Sequence, residues 1–116
     1  MLADDKKEIR MVLHDMLKIG NHEITGEAID GEQAVEKFAK TQPDVLLLDI
    51  AMPKKDGLTV VREIISVYPK AKIIIVTASS NTDIIKECLD AGALAYIAKP
   101  FDIDKTLKII SDISSK

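Results

Sequence analysis

An α/β fold built on a parallel, doubly wound sheet is what this 116-residue sequence predicts, and three observations carry the prediction. Helical and strand-like periodicities take turns along the chain. Two runs, Val45-Leu46-Leu47-Leu48 and Ile73-Ile74-Ile75-Val76, are continuously apolar, the pattern of strands covered on both faces. Four strand-like runs close on residues with chemistry to offer: Asp4-Asp5, Asp49, Thr77 and Lys99-Pro100. Alternating helices and two-face-buried strands give a parallel sheet with right-handed crossovers. Ligands of such sheets bind outside the carboxyl ends of the strands, so these four signals are expected to meet at one edge.

Each element has its own signature. The first strand is Met1-Leu2-Ala3, running into Asp4. Ile9, Val12, Leu13, Met16 and Leu17 stand at helical spacing before Gly20, a helix C-cap. Glu23 to Ala28 alternates like a strand. Val35, Phe38 and Ala39 mark a second helix that stops before Pro43, and Val45–Leu48 is the buried strand ending in Asp49. Leu58, Val61, Ile64 and Ile65 stripe a third helix ended by Tyr68-Pro69, followed by the strand that closes on Thr77. A fourth helix carries Ile84, Ile85, Cys88 and Leu89 and stops at Gly92. Leu94 to Ala98 is the fifth strand, and Ile103, Leu107, Ile110 and Ile113 stripe the last helix.

Composition narrows the function classes. The length suits one domain, residues 1–116, with a real hydrophobic core. A net charge of −3 with scattered lysines and arginines argues against a nucleic-acid or acidic-membrane partner. No apolar stretch approaches the roughly 20 residues of a membrane span. The start, Met1-Leu2-Ala3-Asp4-Asp5, lacks the basic and apolar regions of a signal peptide, so a cytoplasmic location is expected. The single cysteine, Cys88, lies on an apolar helical face and reads as packing, as do Met11, Met16 and Met52.

Three carboxylates at one sheet edge repel one another unless a hard cation such as Mg²⁺ neutralises them, and Mg²⁺ held by one or two carboxylates is the usual partner of a phosphoryl group. A strand-terminal Asp is often only the N-cap of the next helix. Asp49 is different, because Ile50-Ala51-Met52 follow it and the next helical stripe begins only around Leu58. A carboxylate so placed can act as a covalent nucleophile toward phosphorus.

The chain resembles the receiver domain of two-component response regulators, in its free-standing, chemotaxis (CheY-like) form, over essentially its whole length. The resemblance rests on Asp4-Asp5, on Asp49-Ile50-Ala51-Met52-Pro53 with Gly57 after it, on Thr77-Ala78 and on Lys99-Pro100. It implies a flavodoxin-like five-stranded sheet of order 2-1-3-4-5. It implies a switch rather than an enzyme, catalysing only its own phosphorylation and dephosphorylation. Asp49 would accept a phosphoryl group from a histidine kinase. Mg²⁺ would be held by Asp5 and Asp49, by Asp4 through water and by the backbone carbonyl of Ala51. Lys99 would contact a phosphoryl oxygen, Pro100 would follow a cis bond, and Thr77 would supply a hydroxyl. The inward pull on Thr77 would let Tyr96 turn in, changing affinity for a separate partner bound around the fourth helix, fifth strand and fifth helix, from about Thr82 to Ser114. Ala51 and Ser79, two residues after Asp49 and Thr77, would flank the acyl phosphate and tune its hydrolysis.

Two other classes share features. A haloacid-dehalogenase-like phosphatase also uses a strand-end Asp, Mg²⁺, a hydroxyl and a Lys, but carries a second Asp two residues after the nucleophile as its proton carrier, where this chain has Ala51. A flavodoxin-like nucleotide-binding module would want a backbone-lined phosphate cradle after the first strand, where this chain has two carboxylates. The first strand is expected to be truncated: three residues precede Asp4, against about 5 to 6 for a typical strand. A start further upstream, a shortened and less stable strand, or an edge supplied by another chain would each account for it. The last helix runs out at Ser114-Ser115-Lys116, so output is expected to pass through a separate protein.

Overall fold

In the computed structural model, which describes residues 1–78 and 82–115, strands and helices alternate throughout. The strands are β1 (Leu2–Ala3), β2 (Glu27–Ala28), β3 (Leu46–Asp49), β4 (Ile73–Thr77) and β5 (Ala95–Ala98). The helices are α1 (Lys7–Ile19), α2 (Gly31–Thr41), α3 (Gly57–Val67), α4 (Thr82–Asp90) and α5 (Ile103–Ser114). All strand pairs are parallel, in the order β2-β1-β3-β4-β5. Among the described residues, no helix is long and apolar enough to cross a membrane.

Alternation along the buried strands sorts the core into two layers. Ala3, Leu46, Leu48, Ile73 and Ile75 face one way and pack with Phe38 of α2, Val60, Val61 and Ile64 of α3, and Ile85 and Cys88 of α4. Leu2, Leu47, Ile74, Val76 and Ile97 face the other way, against Leu13 and Leu17 of α1 and Ile110 and Ile113 of α5. A one-residue slip in β3 or β4 would exchange the two layers, so register is strongly specified. Three helices begin on an aspartate cap: Asp30 accepts from Gln33 N at 2.8 Å, Asp56 from Thr59 N at 2.8 Å and Asp102 from Lys105 N at 3.1 Å.

The strand expected over Glu23–Ala28 contracts to Glu27–Ala28. A strand exists only where a neighbour pairs with it, and β1 offers two ladder positions, Leu2 opposite Glu27 and Ala3 opposite Ala28. Short as it is, β1 still joins both halves of the sheet. The Met1 nitrogen donates to Val45 O at 2.9 Å, Leu47 N donates to Met1 O at 2.9 Å, and Leu2 N donates to Gly26 O at 3.0 Å. Two other expectations fail at the surface. Met11 is 58% exposed and Val12 46%, because at 100° per residue Leu13, Met16 and Leu17 face the sheet while Met11 lies on the far side of the helix. Leu94 and Ile103, the first residues of their apolar stripes, stand exposed at element ends. Cys88, Met16 and Met52 are buried as packing residues, and burial pushes the Cys88 thiol above its ordinary pKa.

Candidate functional site at the carboxyl edge of the sheet

The ends of β1, β3, β4 and β5 converge on one cleft of about 280 Å³, lined among others by Lys6, Asp49, Ala51, Asp56, Thr77 and Lys99. Asp4, Asp5 and Asp49 each bring a carboxylate oxygen to within 4.8 Å of the others. The sequence separation of these groups is closed by the parallel crossovers, which return every strand to the same edge.

Each carboxylate has different company. Asp4 is buried and fully engaged: Oδ1 accepts from Lys6 N at 2.8 Å and Oδ2 from Lys99 Nζ at 3.0 Å. Asp5 is partly exposed and meets Lys6 Nζ at 3.5 Å. Asp49 is buried; its Oδ1 accepts from the Ala51 N–H at 3.2 Å. Its Oδ2 is buried with no hydrogen-bond partner among the described residues, with only the Lys99 ammonium 3.9 Å away. Burial, and secondarily the charge of Asp4, raises the Asp49 pKa above the ordinary carboxylate range, against the opposing pull of Lys99.

An orphaned, buried carboxylate oxygen beside two more carboxylates is the donor set of a hard divalent cation, and Mg²⁺ fits it. The satisfied oxygens of Asp4 suit contact through water, whereas Asp5 and Asp49 retain oxygens for direct ligation.

The loop after β3 is held from both ends. Gly57 N donates to Ile50 O at 2.8 Å, and a Cβ on Gly57 would lie 2.6 Å from the Ile50 Cα, so no larger residue fits. Gly31 N donates to Pro53 O at 3.2 Å, tying the loop to the head of α2. At the other side, Lys99 N donates to Thr77 O at 2.8 Å and the Lys99–Pro100 peptide is cis, as the resemblance implied. Thr77 is buried in the cleft wall, while Tyr96 on β5 is 48% exposed. Ser79 lies outside the described residues.

Sequence reasoning missed two contributors. Lys6 reads as part of a solvated run at a helix start, yet it stands in the cleft wall, and chiefly the charge of Asp5 holds its pKa above the ordinary lysine value. Arg10 donates from Nη1 to Asp4 O at 2.7 Å and pairs through Nε with Glu27 at 3.3 Å, clamping the acidic loop to β2. No periodic signal marks either, because both roles depend on where α1 starts relative to the sheet edge.

The fold and site together define a doubly wound α/β domain with acidic groups, a hydroxyl and a lysine at the carboxyl edge of its sheet. The family model of the response regulator receiver domain matches residues 1–111. Protein CcdB of Bacillus subtilis is 39% identical over 113 residues, covering 97% of this chain and 94% of that protein. The chemotaxis protein CheY of Thermotoga maritima is 34% identical over 114 residues, 98% of this chain and 95% of the relative. A chain of the CheX–CheY–BeF3–Mg complex from Borrelia burgdorferi superposes with a TM-score of 0.93 at 32% identity, covering 99% of this chain and 87% of that one. The chain belongs to the response regulator receiver domain family. It is a phosphorylation-activated signalling switch of a two-component system, and the phosphatase and nucleotide-binding readings find no support.

Proposed function

We propose that Asp49 is the phosphoryl acceptor of this switch and that acceptance requires Mg²⁺. The observation that carries the reading is the buried, unpartnered Oδ2 of Asp49. An Asp49 oxygen attacks phosphorus, the bond from phosphorus to the donor breaks, and the electron pair leaves with the donor, an imidazole nitrogen when the donor is a phosphohistidine. Asp5, Asp49 and the Ala51 carbonyl would hold the metal directly and Asp4 through water, and the metal would supply charge neutralisation for the carboxylates and the phosphoryl oxygens. Lys99, already against Asp4 and near Asp49, offers its ammonium to a phosphoryl oxygen as a charge-assisted donor. Thr77 offers its hydroxyl to another.

The donor is a histidine kinase and the output a separate protein. Formation of the Thr77 contact and inward rotation of the half-exposed Tyr96 alter the surface of α4, β5 and α5, where the partner binds. The domain then catalyses only its own phosphorylation and dephosphorylation. The residues two after the acceptor and two after Thr77 are Ala51 and Ser79, neither a carboxylate or an amide able to place an attacking water strongly.

Intact-mass measurement after treatment with acetyl phosphate tests the assignment. One phosphoryl adduct is expected in Mg²⁺ and none in excess chelator or in Asp49→Asn. An adduct of equal yield in Asp49→Asn, or one indifferent to chelator, overturns it.

A further inference from the structure

Lys6 has no part in the reaction just described, yet it stands inside the site. Its backbone is pinned at the head of α1 by the 2.8 Å bond from Lys6 N to Asp4 Oδ1. From there the side chain runs along the cleft wall that includes Asp49, Ala51, Thr77 and Lys99. Its ammonium lies 3.5 Å from Asp5 Oδ1, on the carboxylate left free by the other contacts. The adjacent Lys7 instead lines a separate surface depression with Arg10, Met11 and His14. Two consecutive lysines of equal charge thus point to different places, and only the first meets the acidic cluster.

We propose that Lys6 is a tethered counter-ion of the site, neutralising Asp5 in the metal-free protein and competing with the divalent cation for it, so that it lowers the domain's affinity for Mg²⁺. The inference rests on the metal-dependent reading above. A divalent cation held by Asp5 and Asp49 draws on the same Asp5 carboxylate that Lys6 faces, and two cations on one carboxylate repel each other. Binding of Mg²⁺ therefore displaces the ammonium and forfeits its ion pair. The pair is at the surface, so the competition is modest, and it is weakened by added salt. Lys99 does not play this part, because its ammonium is bonded to Asp4 Oδ2 at 3.0 Å and stands beyond hydrogen-bonding distance from Asp49.

Calorimetric titration of Mg²⁺ into the intact, unphosphorylated protein at low ionic strength tests the idea. Lys6→Gln should tighten the Kd by up to about 5-fold, the upper end expected from losing an exposed ion pair. Lys7→Gln, which makes the same change in net charge one residue away, should move it by less than half as much. Lys6→Arg should keep wild-type affinity, and the Lys6→Gln advantage should shrink in high salt. A Kd for Lys6→Gln equal to or weaker than wild type, while Asp5→Asn abolishes binding, overturns the role of Lys6 and leaves the metal site standing. An equal change in Lys7→Gln also overturns it, since the effect would then be one of net charge. Absence of Mg²⁺ binding by the wild type overturns this inference and the metal-dependent reading together.

Discussion

Replacing Asp49 with asparagine should stabilise the metal-free domain. At an effective dielectric constant of about 20, Asp4 within 4.8 Å repels Asp49 by roughly 3.5 kcal/mol and the Lys99 ammonium at 3.9 Å attracts it by roughly 4 kcal/mol, while the charge of the more exposed Asp5 is offset by its partner Lys6. These contributions nearly cancel. What remains is the cost of burying an ionised carboxylate whose Oδ2 has no hydrogen bond, an effective penalty of about several kcal/mol. Asparagine removes the charge but leaves a buried amide imperfectly bonded, which returns about 1–3 kcal/mol of the gain. A net stabilisation of about 1–3 kcal/mol follows, or a Tm higher by roughly 3–10 °C for a chain of this size. The pH dependence has a definite sign. A carboxylate whose folded pKa is raised contributes its stability fully below the ordinary carboxylate value and loses it as pH rises through the folded one, so the two proteins should converge in acid and separate toward neutrality. Mg²⁺ should close the gap from the wild-type side, by about 2.7 kcal/mol when its concentration is 100 times Kd, and should leave the variant largely unmoved. Thermal unfolding of both proteins in chelator and in Mg²⁺, from pH 4 to 8, reads all of this. A variant no more stable than wild type in chelator at neutral pH would refute the reasoning, as would equal stabilisation of both by Mg²⁺.

Gly57→Ala should cost about 1–3 kcal/mol in chemical denaturation, because the new methyl meets the Ile50 and Asp49 backbone rather than a movable side chain; an unchanged midpoint would show that the loop can retreat. The hydrolysis of phospho-Asp49 should be faster in Ala51→Asn combined with Ser79→Glu, since both introduce groups able to orient water. Phosphate release after rapid removal of donor measures it, and an equal or slower rate rejects that tuning role.

The sequence by itself determined the class of fold and which residues gather at the carboxyl edge of the sheet. Unbroken apolar runs of four residues at 45–48 and 73–76, too short for helices, read as strands covered on both faces, and the helical stripes between them leave a doubly wound parallel sheet as the natural arrangement. Because all strands of such a sheet point the same way, residues that end strands had to meet, which made Asp4, Asp5, Asp49, Thr77 and Lys99 legible as one cluster. Tertiary structure decided the rest, wherever a property depends on a neighbour distant in the chain. The length of β2 followed from how many ladder positions β1 offers, not from the alternation of residues 23–28. The exposure of Met11 followed from which side of α1 the sheet occupies. The distinct states of Asp4 and Asp49 were set by a lysine 95 residues after Asp4 that bonds the first and only approaches the second. Electrostatic and hydrogen-bonding environments are sums over space, and a linear sequence specifies those sums only after the chain has folded.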